Sequence, residues 1–141
     1  IFRTKKGFTD LNEAKRFAAE TGCDWLSVAV GSIHGAIADG VRNQKKPEAR
    51  LDIQHIADLS KVTGIPLVLH GGSGVPDDQI AAAVKAGIRK INFGTDVCCS
   101  LLDGIRAVDP SILALDLFMQ GPTAWVKDFA VSKIKLLGAD K

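Results

Sequence analysis

The amino-acid sequence predicts an α/β fold, in which helices alternate with the short strands of a parallel sheet. Three times along the chain, a helical pattern ends at a glycine, a short apolar run follows, and a polar loop that contains glycine comes next. Short apolar runs that do not alternate with polar residues are typical of parallel strands buried on both faces. Doubly wound sheets and (β/α)₈ barrels both fit this pattern, and both bind ligands at the carboxyl ends of their strands.

The first repeat begins with a helix over residues 10–21. Asp10 is a good N-cap, Glu13 stands where a capping box needs an acidic residue, and apolar residues recur on one helical face. Gly22 suits the left-handed position after a helix. The sequence DWLSVAVGSIHG then predicts a strand over residues 25–30.

The second repeat is a helix over residues 52–62, stopped by Gly64, and a strand over residues 65–69. The helix has isoleucine, alanine and leucine side chains at the spacing of one buried face. The strand runs directly into the sequence HGGSG, which neither a core strand nor an ordinary turn requires.

The third repeat starts at Pro76, a residue type favoured at the first position of a helix. Asp77 and Asp78 place negative charge in the first turn, where the helix dipole favours it. Gly87 ends this helix, and a strand is predicted over residues 88–93.

The rest of the chain is predicted to be helical, in three segments over residues 95–107, 111–119 and 122–137. Their apolar residues recur at helical spacing. Four further side chains of the sequence are interpreted as core residues: Trp25, Cys98, Cys99 and Trp125.

The composition argues for a globular cytoplasmic protein and against a nucleic-acid or membrane partner. The net charge is +2 with scattered basic residues, which does not indicate a nucleic-acid surface. No apolar run approaches the roughly 18 residues of a membrane helix. The 3 cysteines are an odd number without a CxxC spacing, which predicts reduced thiols in the cytoplasm.

Two histidines follow consecutive predicted strands at matching depth. His34 and His70 each stand directly before a glycine at a strand end. Adjacent parallel strands lie about 4.8 Å apart, so both imidazoles can reach one metal ion. The alternative is that each ring only hydrogen-bonds the rim of a pocket. His55 lies within the second predicted helix and is a poor candidate for a third ligand.

Glycine-rich loops follow the second and third strands. Gly71, Gly72 and Ser73 lead toward a helix N-terminus, where backbone N–H groups and the helix dipole favour an anion. Gly94 and Thr95 offer the same arrangement at the start of the next helix. A tight turn is the alternative for the first loop, but the two loops together favour a phosphate site.

Two polar residues stand close to the second of these loops. Asn92 is interpreted as a hydrogen-bonding partner for a sugar hydroxyl or carbonyl oxygen, or else as a strand-end cap. Asp96 can act as an acid, a base or a helix cap, and its first-turn position favours the helix role.

Four segments together resemble one enzyme family. They are GSIHG, IPLVLHGGSGVPDDQI, GIRKINFGTD and KIKLLG, and in this order they resemble the C-terminal half of the class II, zinc-dependent ketose-bisphosphate aldolases. Fructose-bisphosphate and tagatose-bisphosphate aldolases are the main members. The resemblance extends over residues 9–141. It implies that residues 1–141 form part of a (β/α)₈ TIM barrel, namely strands six to eight and their helices.

The resemblance also implies a zinc ion and a phosphosugar substrate. His34 and His70 would be zinc ligands, and the zinc would polarise the ketone and stabilise the enediolate formed on cleavage. Residues 36–50 would form a mobile loop beside the site. The residues that the resemblance assigns to the dihydroxyacetone phosphate part of the substrate are Gly35, Gly71, Gly72, Ser73, Asn92, Phe93, Gly94 and Thr95.

One element of the family pattern does not occur in the sequence. The family uses an adjacent Asp–His pair from an earlier strand, with the Asp as catalytic acid and the His as third zinc ligand, and the 141 residues contain no such dipeptide. About three strands cannot close a barrel and would leave sheet edges exposed. We therefore expect an incomplete barrel that is inactive alone and whose full-length form is a homodimer or homotetramer, as is usual in the family.

Three functions are compatible with these observations. The first, which the resemblance favours, is reversible aldol cleavage of a ketose 1,6-bisphosphate to dihydroxyacetone phosphate and glyceraldehyde 3-phosphate. The second is a phosphosugar epimerase or isomerase reaction on a similar barrel, without carbon–carbon cleavage. The third is a non-catalytic subunit that binds a phosphosugar or serves in assembly.

Overall fold

The computed structural model describes residues 6–32 and 49–140 of the chain. Within these ranges, helices and strands follow one another in the predicted alternation. The elements are α1 (Leu11–Thr21), β1 (Leu26–Ser27), α2 (Ile53–Thr63), β2 (Leu67–Leu69), α3 (Asp77–Ala86), β3 (Ile88–Ile91), α4 (Thr95–Arg106) and α5 (Leu115–Leu137). The chain divides into two compact units, Ile1–Asn92 and Phe93–Lys141, and each is described by itself.

The first unit contains a parallel sheet with the strand order β1-β2-β3. Leu26 of β1 is in register with Leu67 of β2, and Val68 of β2 is in register with Lys90 of β3. The pairing of β2 with β3 shifts register between Leu67 and Val68. The parallel pairing confirms the predicted α/β class and brings the carboxyl ends of the strands to one edge of the sheet.

The strands are shorter than the apolar runs that predicted them. β1 has 2 residues, β2 has 3 and β3 has 4. Past β1, the extended chain continues through single backbone hydrogen bonds, from the Val28 N–H to the Val68 carbonyl at 3.1 Å and from the Asp52 N–H to the Val30 carbonyl at 3.0 Å. The apolar runs therefore mark buried extended chain, of which only the middle forms a regular ladder.

The core of the first unit lies between the sheet and the helices that pack on it. Every residue of β2 is buried, as expected for the middle strand of three. Burial of one such aliphatic side chain contributes about 1.5–3 kcal/mol, so a few side chains on each element suffice to hold helix against sheet. The largest fully buried aliphatic side chains of these elements are Ile56, Leu59, Leu67, Leu69, Ile80 and Ile88.

The helices of the first unit end at the glycines that predicted their ends. Gly22 and Gly64 have φ values of 62° and 67°, in the left-handed region that ends a helix at low cost when the residue lacks a Cβ. Gly87 ends α3 with φ 130°. The start of α3 differs from the prediction by one position, because Pro76 is the N-cap and the helix begins at Asp77.

Asp10 fixes the start of α1. Its carboxylate accepts hydrogen bonds from the N–H groups of Asn12 at 2.8 Å and Glu13 at 3.0 Å.

Asp10→Ala is expected to lower the free energy of unfolding by about 1 kcal/mol, because both donors lose their acceptor. Asp10→Asn keeps a side-chain acceptor and is the matched control, with an expected change within about 0.5 kcal/mol. Urea denaturation measures both, and equal losses would contradict the capping role.

The second unit is built around the pair of helices α4 and α5. A Cβ added at Gly104 of α4 would lie 2.8 Å from the Cα of Pro122 on α5 and 3.2 Å from the Cβ of Trp125. The absence of a side chain at Gly104 therefore allows the backbones of the two helices to approach one another closely.

The helix α5 is continuous over Leu115–Leu137, with a buried Pro122 inside it. The prediction of two separate segments, 111–119 and 122–137, is therefore wrong. Proline lacks the N–H for the carbonyl four residues earlier, which usually breaks a helix, but here Pro122 is buried with its backbone close to Gly104 of α4, and the helix persists. None of the helices in the described ranges is both long and apolar enough to cross a membrane.

Four side chains predicted to be core residues are exposed. Trp25 is 58% exposed and Trp125 is 48% exposed, and the thiols of Cys98 and Cys99 are also exposed. These predictions are wrong. Trp25 directly precedes β1, which pairs on one side only within the described sheet. An apolar side chain favours burial, but its sequence does not say whether a neighbouring element covers it.

Candidate functional site

Two predicted site residues of the first unit lie at the carboxyl ends of neighbouring strands. His70 directly follows β2, and Asn92 directly follows β3. The parallel pairing of these strands places both residues at the same edge of the sheet. This is the edge at which parallel α/β folds bind their ligands.

The backbone of Asn92 ties the two strand ends together. Its N–H donates to the carbonyl of Leu69 at 3.1 Å, and its carbonyl accepts from the N–H of Gly72 at 3.0 Å. The end of β2 is thus fixed to the end of β3 on both sides of His70. Because the Gly72 N–H is used in this link, it is not one of the donors that the loop can offer to an anion.

The side chains of Asn92 and His70 are in hydrogen-bond contact. Lys90 Nζ donates to Asn92 Oδ1 at 2.7 Å, and Asn92 Nδ2 lies 3.1 Å from Nδ1 and 3.5 Å from Nε2 of His70. An ammonium group only donates, so the amide atom that faces it is oxygen and the amide nitrogen faces His70. The side chains of Asn92 and His70 therefore join the two strand ends in addition to the backbone bonds.

The HGGSG loop after β2 is a tight turn. Gly71 and Gly74 have φ values of 71° and 79°, which residues with a Cβ adopt only with strain. The Ser73 side chain is 2% exposed, and every buried side-chain N or O atom in the described ranges has a hydrogen-bond partner. The Ala49 N–H donates to the Gly74 carbonyl at 3.0 Å. The loop therefore has a defined backbone that is also bonded to the chain leading into α2.

The remaining predicted binding residues begin the second unit. Gly94 is the N-cap of α4 and has no side chain to accept the first N–H groups of the helix. Thr95 and Asp96 lie in the first turn, where the helix dipole favours a carboxylate. Phe93 packs edge-on against Phe129, with ring centroids 6.4 Å apart. The start of α4 thus presents backbone donors of the kind that bind anions.

Only part of the predicted zinc site lies in the described ranges. His34 and Gly35 lie among residues 33–48, outside the described residues, as does nearly all of the loop predicted over residues 36–50. Within the described ranges, no group of three His, Cys, Asp or Glu side chains is arranged to hold a metal ion. The pairing of His34 with His70 therefore stays a prediction.

The ring and the backbone N–H of His55 contact neighbouring residues of the fold. Its Nε2 lies 2.8 Å from the carbonyl oxygen of Thr9, and its ring is tilted against Phe8 at a centroid distance of 5.7 Å. Its backbone N–H donates to the N-cap carboxylate of Asp52 at 3.0 Å. These contacts account for a histidine in the first turn of α2 without a metal.

Two lysines beside predicted site residues were missed by the sequence reasoning. Lys90 lies two residues before Asn92, and the alternation of side chains along a strand would have placed both on one face. Lys133 of α5 has its Nζ 5.5 Å from the centroid of the Phe93 ring, within the range of a cation–π contact. Nothing in the sequence pattern brings Lys133 to Phe93, because that contact depends on how α5 packs.

The similarity of this chain to known proteins bears on which of the three functions compatible with the sequence it has. Residues 2–141 match the family model described as fructose-bisphosphate aldolase class-II. The chain belongs to the class II fructose-bisphosphate aldolase family. This class II aldolase chain is 36% identical over 135 residues to a protein of Shouchella clausii named 6-phospho-5-dehydro-2-deoxy-D-gluconate aldolase. The match covers 94% of the chain and 43% of that relative.

Solved structures of aldolases share the fold of this class II chain. The YdjI aldolase of Escherichia coli K12 superposes with a TM-score of 0.77 at 30% identity, over 94% of this chain and 45% of that one. A fructose-bisphosphate aldolase of Campylobacter jejuni gives a TM-score of 0.74 at 18% identity, over 98% of this chain and 47% of that one. The second likeness shows the fold alone. The chain spans less than half the length of each of these relatives.

Proposed function

We propose that this chain carries part of the active site of a class II aldolase, a lyase that cleaves a phosphorylated ketose by a reversible, zinc-dependent aldol reaction. The observation that carries the proposal is the contact between His70 and Asn92 at neighbouring strand ends, in a chain that belongs to the class II family. We further propose that the three strands are strands six to eight of a (β/α)₈ barrel. In such barrels the catalytic groups come from the carboxyl ends of the strands.

The proposed substrate is a ketose 1,6-bisphosphate of the fructose or tagatose series, cleaved to dihydroxyacetone phosphate and glyceraldehyde 3-phosphate. The name of the Shouchella clausii relative indicates a different compound, 6-phospho-5-dehydro-2-deoxy-D-gluconate. All of these compounds carry a ketone beside a phosphorylated carbon, so aldol cleavage of each releases dihydroxyacetone phosphate. We therefore propose dihydroxyacetone phosphate as one product and treat the identity of the aldehyde product as the feature that separates the candidate substrates.

His34 and His70 are the proposed zinc ligands. The donor chemistry is suitable, because imidazole nitrogen binds zinc, although cobalt and iron also accept it. His70 is exposed at the strand-end edge of the sheet, which leaves its ring accessible to an ion from solvent. When bound, zinc supplies a Lewis acid for the ketone oxygen of the substrate. The Asn92 amide, held beside His70, offers a hydrogen-bond donor to a substrate oxygen at the same place.

The phosphate end of the substrate is proposed to bind the two glycine-containing loops. The first turn of α4 supports this role, because its N-cap Gly94 has no side chain that could accept the first N–H groups of the helix. The Gly72 N–H donates to the carbonyl of Asn92. Gly72 is therefore proposed to let the loop come close to the phosphate rather than to donate a hydrogen bond to it. The residues proposed to bind the dihydroxyacetone phosphate part are Gly35, Gly71, Gly72, Ser73, Asn92, Phe93, Gly94 and Thr95.

The 141-residue chain by itself is expected to release no dihydroxyacetone phosphate from fructose 1,6-bisphosphate, even with zinc added. The proposed reaction needs a catalytic acid and a third zinc ligand, and the sequence has no Asp–His pair to supply them. Reduction of dihydroxyacetone phosphate coupled to NADH oxidation measures the release, with a full-length class II aldolase as the positive control. Turnover by the isolated chain would contradict this assignment of the missing groups.

The two alternative functions predict different products from the natural protein. A phosphosugar epimerase or isomerase would convert a sugar phosphate without forming dihydroxyacetone phosphate, whereas a non-catalytic subunit would bind the sugar phosphate without turnover. Product identification by mass spectrometry separates these outcomes. Of these functions we favour the aldolase. We propose that the full-length protein is a cytoplasmic homodimer or homotetramer with a small-molecule phosphosugar substrate.

A further inference from the structure

We propose that Cys98 and Cys99 form a separate metal site in this chain, a dithiol that binds one copper(I) ion. The two residues are adjacent in α4, and both are free cysteines with exposed side chains. Neither is among the residues proposed to bind zinc or substrate. The site therefore stands on its own contacts and does not depend on the proposed function.

The helical backbone sets the distance between the two thiols. The Cys98 N–H donates to the Gly94 carbonyl at 3.1 Å, so the pair directly follows a closed first turn of α4. With about 3.6 residues per turn, the Cβ atoms of consecutive helical residues lie about 5 Å apart, whereas a disulfide needs a Cβ–Cβ distance of about 3.5–4.5 Å. The two cysteines therefore do not form a disulfide with one another while α4 stays helical, and both remain available as thiols.

A site with two thiols and no further ligand selects copper(I). Thiolate sulfur is a soft ligand, which favours Cu(I), zinc and iron–sulfur clusters. Zinc and the clusters take three or four protein ligands, and in the part of the chain that the structure describes no group of three His, Cys, Asp or Glu side chains is arranged to hold a metal ion. Cu(I) is satisfied by two thiolates on opposite sides of the ion. Each sulfur turns about its own Cα–Cβ bond, so the two can face an ion placed between them.

Binding exchanges protons for the metal ion without a change of oxidation state. Each S–H bond breaks as its sulfur bonds to Cu(I), so two S–Cu bonds form and two protons pass to solvent. The product is a bis-thiolate complex with a net charge of −1. Because the side chains of Cys98 and Cys99 are both exposed, the ion can reach them from solvent without opening the helix.

Titration of the natural protein with copper(I) tests the site. Oxygen is excluded, ascorbate keeps the copper reduced, and a coloured Cu(I) chelator competes for it. The unmodified protein is expected to bind one Cu(I) per chain more than the double variant Cys98→Ser with Cys99→Ser. Each single variant is expected to weaken binding at this site by at least about 100-fold, since even the loss of an outer-shell partner costs about 10–100-fold in metal affinity. Equal copper uptake by the unmodified protein and the double variant overturns the inference.

Cys23 provides the matched control. It is the third free cysteine of the chain and lies in the first unit, in a half-buried position. Cys23→Ser is expected to leave the uptake of copper unchanged. A loss in Cys23→Ser as large as the loss in Cys98→Ser would show general binding to thiols and would overturn the site. Serine keeps the shape of cysteine, so the melting temperatures of the variants at positions 98 and 99 are expected to stay within about 2 °C of the unmodified value.

Alkylation of the thiols locates the bound ion. Cleavage by trypsin after Lys90 and Arg106 releases residues 91–106 as one peptide, in which Cys98 and Cys99 are the only cysteines. The natural protein is treated with iodoacetamide with and without Cu(I), digested and examined by mass spectrometry. Both thiols are expected to react without copper and to be protected together when copper is bound. Protection of only one thiol, alkylation of both in the copper-loaded protein, or a pair that does not react even without copper overturns the inference.

Discussion

Replacing His70 with alanine is expected to lower kcat/KM for ketose bisphosphate cleavage by at least about 10³-fold in the natural protein, because loss of the proposed zinc ligand would remove Lewis-acid stabilisation worth several kcal/mol. The structure places this side chain at the end of β2, within hydrogen-bond distance of Asn92. Initial rates of dihydroxyacetone phosphate release measure the effect. The zinc content of the purified variant is expected to fall in parallel.

His55 provides the matched control within the same chain. Its ring contacts the carbonyl oxygen of Thr9 at 2.8 Å in the first turn of α2. His55→Gln keeps a donor for that oxygen, so kcat/KM is expected to remain within about twofold of the unmodified value. A His70→Ala protein that keeps its zinc and loses less than about tenfold in kcat/KM would contradict the proposed ligand role.

Gly87→Ala is expected to lower the free energy of unfolding by about 2–4 kcal/mol, the largest stability effect that we predict for an alanine substitution in this chain. A Cβ at this position would overlap the hydroxyl of Ser60 and lie 2.5 Å from its Cβ. The backbone of Gly87 also has φ 130°, which a residue with a Cβ adopts only with strain. Urea denaturation of the 141-residue chain measures the loss.

Gly64→Ala separates the two causes of that loss. Gly64 also has a positive φ of 67°, but a Cβ there would meet no atom within 4 Å. We expect this control to lose about 1 kcal/mol from backbone strain alone. In the double variant Ser60→Gly with Gly87→Ala, part of the larger loss should be recovered because the overlap is relieved. Equal losses for the two single glycine variants would contradict the role assigned to Ser60.

Local signals predicted the element boundaries best where a backbone conformation demands one residue type. Gly22, Gly64 and Gly87 end their helices as predicted, because their φ values of 62°, 67° and 130° exclude most residues with a Cβ. The prediction of a helix break before Pro122 was wrong. Pro122 packs against Gly104, and a local sequence pattern does not show such a contact between distant residues. Trp25 was predicted to be buried and is exposed, since burial depends on which elements cover it rather than on its own chemistry.

The sequence predicted those parts of the site that follow from the parallel arrangement of the strands. Once the strands are parallel, residues that follow their carboxyl ends come together, and the contact between His70 and Asn92 is of this kind. The bond from Lys90 to Asn92 could not be read from the sequence, because it depends on the conformation of a long side chain. The use of the Gly72 N–H by Asn92 also required the structure, since it depends on the register of β2 and β3.

The metal dependence of dihydroxyacetone phosphate release by the natural protein tests the central claim most directly. The protein is purified, treated with EDTA, and assayed with fructose 1,6-bisphosphate, tagatose 1,6-bisphosphate and 6-phospho-5-dehydro-2-deoxy-D-gluconate before and after zinc is restored. The proposed function predicts that release from at least one of these compounds is lost with the metal and returns with zinc. Release that is unaffected by removal of the metal, or metal-dependent turnover that yields only an isomeric sugar phosphate, would contradict it.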